Sequence, residues 1–535
     1  MNNNDYEQNL TKLVKGGSIS TAGNFISVFS STLSNIFIPH LVGSAAAFGL
    51  YDFAFRLTFF IQVLVVPGVD QGLKRYIPIY RAEKNHAAIK GILLYSLKIT
   101  ALLSVLVVVA LLILAPAIAG LFNKPESVAY IRILAISIPF FAFLLIAVAS
   151  LTAIHQVKYQ VILERMLVPV IRLLIFFTFM FVASSTWRIL AVVWSFPISL
   201  AIACFIALYF FFKIFHLLTD RQVKPEYHGK ELIKFSLPLA ANRPLLYLMN
   251  FLGTFIIAYF LTDGDIGQYG IVTRLAILIL VPLQSANLVF LPFISELHHT
   301  GKLDELERHF KFISKWIFTF SLFIFIAFIL MPEPLLTIFG QTYNNTKTQH
   351  MLIIIGLAQL FSAAVGPVGA LLSMTGRPRI AMYNTLIMLT VNLSLCLVLV
   401  PLKSSVGGIV GAGICLAISI LGVNTLFVLQ VRHYLRMHPF SIGYLKPLVA
   451  GIVSFAIVLG IIHLTGFNRT FTELSPEGLA GYLWVVIYIF IFASILGVLY
   501  ALFIYLLGLD ETDKFVLRKM FLKLKRRGPE KANNG

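Results

Sequence analysis

G-L-Y-D-F-A-F-R-L, from Gly49 to Leu57, and G-Q-Y-G-I-V-T-R-L, from Gly267 to Leu275, share Gly, Tyr, Arg and Leu at a constant offset of 218 residues. Each stretch opens a long apolar segment and leads into a loop rich in Lys and Arg, 74–90 in one case and 302–315 in the other. Two copies of one unit at this spacing imply that the chain is built from two similar halves, each holding several helices.

The composition says what those helices are. Of 535 residues, 59% are hydrophobic and only 12% charged, and the mean hydropathy is +0.89. A soluble globule carries about twice that charged fraction. About 20 apolar residues cross the ~30 Å of hydrocarbon in a bilayer, and fourteen such segments can be placed between Gly17 and Gly508. The expected fold is therefore an all-α polytopic membrane protein. Residues 1–216 form one six-helix bundle, 217–233 a polar linker with the run L-T-D-R-Q-V-K-P-E-Y-H-G-K-E, and 234–440 the second bundle. Residues 441–510 add a helix pair outside the duplication, and 511–535 form a basic tail. An offset of six spans preserves orientation, so the bundles should be related by a pseudo-two-fold axis along the membrane normal.

Charge follows this topology. A formal net charge of +19 would suit a nucleic-acid partner if it were gathered on one surface. Instead, 31 of the 42 Lys and Arg fall on the side that holds both termini, and five, Lys124, Arg188, Lys347, Lys403 and Arg469, on the other. That is the positive-inside distribution, which places both termini in the cytoplasm and argues against a nucleic-acid partner. The first segment has no basic n-region or small-residue cleavage site and is expected to be retained. The K-L-K-R-R run of the tail lies naturally along anionic lipid headgroups. The cysteines, Cys204, Cys396 and Cys415, have no second ligand at metal spacing, which leaves no disulfide framework or zinc site.

Six basic residues remain inside the apolar segments, and four of them, Arg56, Arg172, Arg243 and Arg274, lie near mid-span. An arginine there costs at least ~2.5 kcal/mol, so these four should face protein or water and mark a functional site. From the rise per residue, all four can converge at mid-depth. Asp52 stands four residues before Arg56 and can pair with it along one helix face, whereas Gly270 holds the matching position before Arg274. Arg274 thus has no counter-charge on its own helix, and Arg243, flanked by Asn242 and Pro244, has no carboxylate in its span. Arg243 and Arg274 are the preferred ligands for an anion, with Arg56, Arg172, Asn242 and Asn24 as further lining. Glu164, two turns before Arg172, is available to pair with it. Asp52 and Asp70 are the coupling and gating candidates, Asp70 through a pair with Lys74.

Several stretches resemble the polysaccharide-biosynthesis flippases of the multidrug/oligosaccharidyl-lipid/polysaccharide (MOP) superfamily. They are L-V-K-G-G-S-I-S-T-A-G-N-F (Leu13 to Phe25), H-L-V-G-S-A-A-A-F-G-L-Y (His40 to Tyr51), P-G-V-D-Q-G-L-K-R-Y-I-P-I-Y-R-A-E-K (Pro67 to Lys84), R-I-L-A-I-S-I-P-F (Arg132 to Phe140) and G-G-I-V-G-A-G-I (Gly407 to Ile414). The resemblance implies alternating-access transport of a polyprenyl-phosphate- or pyrophosphate-linked oligosaccharide, with glycan polymerases or glycosyltransferases as partners. Guanidinium groups suit such an anionic head. No cofactor is expected. Asp52, whose pairing with Arg56 can change between states, is the group to couple transport to Na⁺ or H⁺. No phosphate-binding G-x-x-x-x-G-K-[ST] stretch or hydrolytic constellation points to an enzyme. The competing readings are a drug or organic-cation antiporter of the same superfamily, disfavoured by the positive mid-span charge, and a non-transporting scaffold of a glycan-assembly complex.

Overall fold

A computed structural model describes residues 27–508 except 28, 67, 155, 183–184, 219, 221, 241 and 465–477. The first half comprises α1 (29–42), α2 (Ala45–Leu64), α3 (Val69–Ala82), α4 (His86–Leu121), α5 (Ser127–Ala135), α6 (Ser137–Ala153), α7 and α8 (Ser185–Ile214). Helix α7 runs from Val157–Tyr159 through a π-helical stretch, Gln160–Leu167, into Val168–Val182. The second half begins with α9 (Gly229–Ala240) and α10 (Asn242–Phe260), followed by α11 (Asp263–Ala276), which passes through a 3₁₀ turn into α12 (Val281–His299). Then come α13 (Leu303–Leu330), α14 (Pro332–Thr337), α15 (Thr346–Ala364), α16 (Val368–Met374), α17 (Pro378–Leu399) and α18 (Gly408–Leu435). Helices α19 (Leu445–Leu464) and α20 (Gly478–Leu506) pack on each other and on α13. The described residues contain no strand.

Among the described residues, ten helices are long and apolar enough to cross a membrane, or eleven if the α15–α16 pair, bent by 46°, counts as one span. The other segments inferred from the sequence are helical where described. Residues 17–26 of the first and residue 241 of the seventh lie outside the described residues, and the fifth contains the π-helical stretch. Helices α9 and α10 of the seventh segment serve both halves. Helix α9 packs on α3 and α4 of the first half, whereas α10 packs on α17 and α18 of the second and on α2.

Small residues permit these contacts. A Cβ at Gly72 would overlap the side chains of Ser236 and Leu232 on α9, and one at Gly91 would overlap the Glu226 carbonyl. The linker is also held here by a hydrogen bond from the Glu226 amide to the Ala87 carbonyl at 3.0 Å and by the Lys90 ammonium on the Asp220 carbonyl.

The main contact between halves is the crossing of α2 and α11, the two helices that carry the repeated sequence. The glycine of each copy sits at the crossing. A Cβ on Gly49 would overlap the Asp263 carbonyl oxygen, and one on Gly267 the Ala45 carbonyl oxygen. Conserving this glycine in both copies is what lets two backbones approach without side chains between them. Around the same end, the Lys124 ammonium stands 2.6 Å from an Asp263 carboxylate oxygen and donates to the Leu261 carbonyl at 3.0 Å. His40 Nε2 lies 2.7 Å from the Ile338 carbonyl oxygen, and the Phe48 and Tyr343 rings meet edge to face at 6.0 Å. The end opposite the basic loops is thus sealed by contacts from both halves.

The crossing has a direct test in thermal unfolding of the detergent-solubilised protein. Gly267→Val should destabilise it by about 1–3 kcal/mol through overpacking. Gly120→Ala, where no atom lies within 4 Å of the added carbon, should show no loss.

Candidate functional site: an arginine cluster around one carboxylate

One turn along α2 from Gly49, Asp52 has no exposed side-chain surface, and its Oδ2 accepts from Arg56 Nε at 2.7 Å in the i,i+4 pair expected from the sequence. Its other oxygen, Oδ1, accepts from Arg274 Nη2 on α11. A single carboxylate therefore bridges the equivalent arginines of the two repeats. Arg274 does have a counter-charge, correcting the expectation drawn from its own helix. The reason lies at Gly270, the position matching Asp52: a Cβ there would stand 2.6 Å from Asp52 Oδ2. Gly270 leaves the room that Asp52 enters from the other helix, so one acid occupies the space that two would contest.

Arg56 reaches further across the crossing, donating from Nη2 to Thr273 Oγ1 at 3.1 Å. Arg172 joins from α7, donating from Nη2 to the Tyr51 hydroxyl at 2.9 Å, next to Asp52 in sequence. No Arg172–Glu164 pair forms, contrary to expectation: Glu164 Oε2 and Arg172 Nε are both buried without a hydrogen-bonding partner among the described residues. Glu164 belongs to the π-helical stretch, whose i→i+5 bonding holds an extra residue per turn and breaks the register that two α-helical turns would give.

Aromatic rings surround the guanidinium groups. Arg274 lies over Phe48 at 5.0 Å, Arg56 over Phe251 at 5.3 Å, and Arg172 over Phe196 at 5.4 Å. Such faces solvate a cation in part, worth up to ~2 kcal/mol when water is excluded. They leave the charge balance unchanged. Two guanidinium groups share the Asp52 carboxylate, Arg172 stands beside them on the Tyr51 hydroxyl, and Arg172 Nε and Arg274 Nη1 are buried N–H groups without an acceptor among the described residues. A buried unpaired donor of this kind costs ~1–3 kcal/mol, more when charged.

A cavity of about 780 Å³ lies beside the cluster toward the basic loops. Phe59, Phe196 and Tyr247 form aromatic wall, Glu164 lines one side, and Asp70 and Gln71 lie toward the basic end. Phe59 packs on Tyr247 at 5.1 Å and on Phe251 at 6.2 Å, so the wall is continuous with the rings over the arginines. Asp70 Oδ2 accepts from the Gln71 amide at 2.6 Å, placing it at the base of the cavity. Asn242 and Arg243 open α10, but their side chains, and the whole of Asn24, lie outside the described residues. Of the other two intramembrane cations, Arg132 bonds the Leu112 carbonyl at 3.2 Å and Lys98 the Tyr227 hydroxyl at 3.5 Å, both away from the cluster. Thr273, Tyr51 and the aromatic wall were not singled out from sequence, although Tyr51 stands within the repeat.

Taken together, an all-helical membrane architecture with two halves meeting at a buried cationic centre defines a transporter-like class of protein. Residues 13–298 match the family model described as polysaccharide biosynthesis protein, and residues 238–398 match the MatE model. The chain belongs to the polysaccharide biosynthesis protein family, within the MOP superfamily. No curated protein sequence matches it. Among solved structures it is similar to the lipid II flippase MurJ in an inward closed conformation, with a TM-score of 0.66 and 15% identity over 90% of this chain and 97% of that one. It is also similar to an inward-facing multidrug resistance MATE family transporter, with a TM-score of 0.64 and 13% identity over 78% and 98% of the two chains. A third relative in fold is a MOP superfamily transporter from Pyrococcus furiosus described as having a binding pocket of reverse polarity, with a TM-score of 0.56 and 16% identity over 79% and 96%.

A double-mutant cycle tests the shared carboxylate. Asp52→Ala strands two buried cations and should cost about 3–5 kcal/mol of stability. Adding Arg274→Ala removes one of them and should recover part of the loss, a non-additivity visible in chemical or thermal unfolding.

Proposed function

We propose that the protein is a flippase that carries a polyprenyl-phosphate- or pyrophosphate-linked oligosaccharide across the prokaryotic cytoplasmic membrane, with both termini in the cytoplasm. The observation that carries this reading is the excess of guanidinium over carboxylate at a buried centre, with Arg172 Nε and Arg274 Nη1 lacking acceptors among the described residues. A phosphate accepts several N–H groups in bidentate geometry, and its charge answers the surplus. An organic cation would meet the same surplus as repulsion, which disfavours drug antiport. A scaffold gives the unpaired donors no role.

Asp52 then acts as a resident anion that the substrate displaces. Headgroup and glycan enter from the cytoplasmic side, where the cavity lies on the positive-inside assignment, and the phosphate competes with Asp52 for Arg56 and Arg274. Since that carboxylate also joins the halves, its displacement loosens the α2–α11 crossing and shifts the population toward a state open on the other side. Protonation of Asp52, or a cation beside it, would release the arginines in the same way and is the proposed point of H⁺ or Na⁺ coupling. Arg243, Asn242 and Asn24 remain proposed contributors to the same site, and Asp70 a proposed gate. Glycan polymerases or glycosyltransferases at either face complete the proposed set of partners.

Reconstituted into vesicles with labelled lipid-linked oligosaccharide, the purified protein should move substrate, and Arg172→Ala and Arg274→Ala should each slow it at least ~10-fold, the kinetic equivalent of one 1.4 kcal/mol contact. Arg274→Lys should recover little, because an ammonium lacks the planar fork. Full-rate translocation in both alanine variants would rule out the anion site, and proton- or Na⁺-driven movement of an organic cation without lipid movement would favour the antiporter.

A further inference from the structure

The cavity contains a feature that binding of a phosphate does not use. Glu164 faces it from the π-helical stretch of α7, and its Oε2 is buried without a hydrogen-bond donor. π-Helical insertions are rare and concentrate at functional sites. Phe59, Tyr247 and Phe196 line the same cavity, with Phe196 reaching Arg172. The arrangement combines aromatic lining with an acceptor lacking a partner among the described residues, in a volume of about 780 Å³, within the range of small-ligand sites.

Those are complementary to a pyranose ring. Its axial C–H groups pack on aromatic faces, and its hydroxyl or amino groups donate to a fixed acceptor. We propose that the cavity is a sugar-reading subsite in which Glu164 accepts a hydrogen bond from the sugars nearest the phosphate, selecting glycans that are neutral or bear amino groups there over glycans that bear a carboxylate. The inference rests on the flippase reading and names the substrate class of the same site. Its physical basis is discrimination by an unfavourable pairing: an anionic sugar would set a second carboxylate against Glu164 in a site of restricted solvent, while a hydroxyl or ammonium supplies the donor that Oε2 lacks. The arginine cluster recognises what all carrier lipids share. Glu164 reads what differs among them.

The test uses the full-length protein in vesicles and two lipid-linked oligosaccharides on the same polyprenyl pyrophosphate, one with a neutral hexose next to the phosphate and the other with the corresponding uronic acid. Wild type should move the neutral substrate at least ~10-fold faster, and Glu164→Gln should bring the ratio close to one, with correct folding of the variant verified by its thermal unfolding. Equal movement of both substrates by wild type, or an unaltered ratio in Glu164→Gln, overturns the sugar-reading proposal and leaves the flippase reading standing. Movement of neither by wild type overturns both.

Discussion

The structure depends on a carboxylate with no access to solvent that holds two arginines from opposite halves of the molecule. Asp52 is confined between α2 and α11, and in that setting neither arginine nor acid is tolerable alone: an isolated buried charge costs several kcal/mol. Every nearby feature serves the three-way contact. Gly49 and Gly267 bring the helices together, Gly270 admits the acid, and Thr273 and Tyr51 take N–H groups that the acid cannot reach.

The same contact couples chemistry to shape. The centre is both counter-ion and inter-helix tie, which on the proposed mechanism a competing anion loosens. One end is sealed, with Lys124 on Asp263 and His40 on the Ile338 carbonyl, while the cavity lies toward the basic loops. Helix α9 packs on the first half and α10 mainly on the second.

Much of this was legible in the sequence. The repeated G-x-Y-x-x-x-x-R-L fixed which helices correspond, and the cost of an intramembrane arginine selected three residues that do meet. The Asp52/Gly270 difference was visible too, but its meaning was not. Within one helix it reads as a missing partner for Arg274; across the crossing it is the space in which the partner sits. Side chains 222 positions apart cannot be paired by spacing alone. The Arg172–Glu164 pairing that the spacing made available does not form where the backbone is π-helical, and a local gain of one residue leaves no clear mark in an apolar run.

On the proposed mechanism, substrate phosphate and Asp52 compete for the same arginines. The most direct measurement is the equilibrium affinity of detergent-solubilised wild type and Asp52→Asn for a short-chain polyprenyl-pyrophosphate oligosaccharide, determined by calorimetry. Removing the resident anion should tighten binding by about tenfold, or ~1.4 kcal/mol, because the headgroup no longer displaces a carboxylate. Unchanged or weaker binding by folded Asp52→Asn would contradict the account.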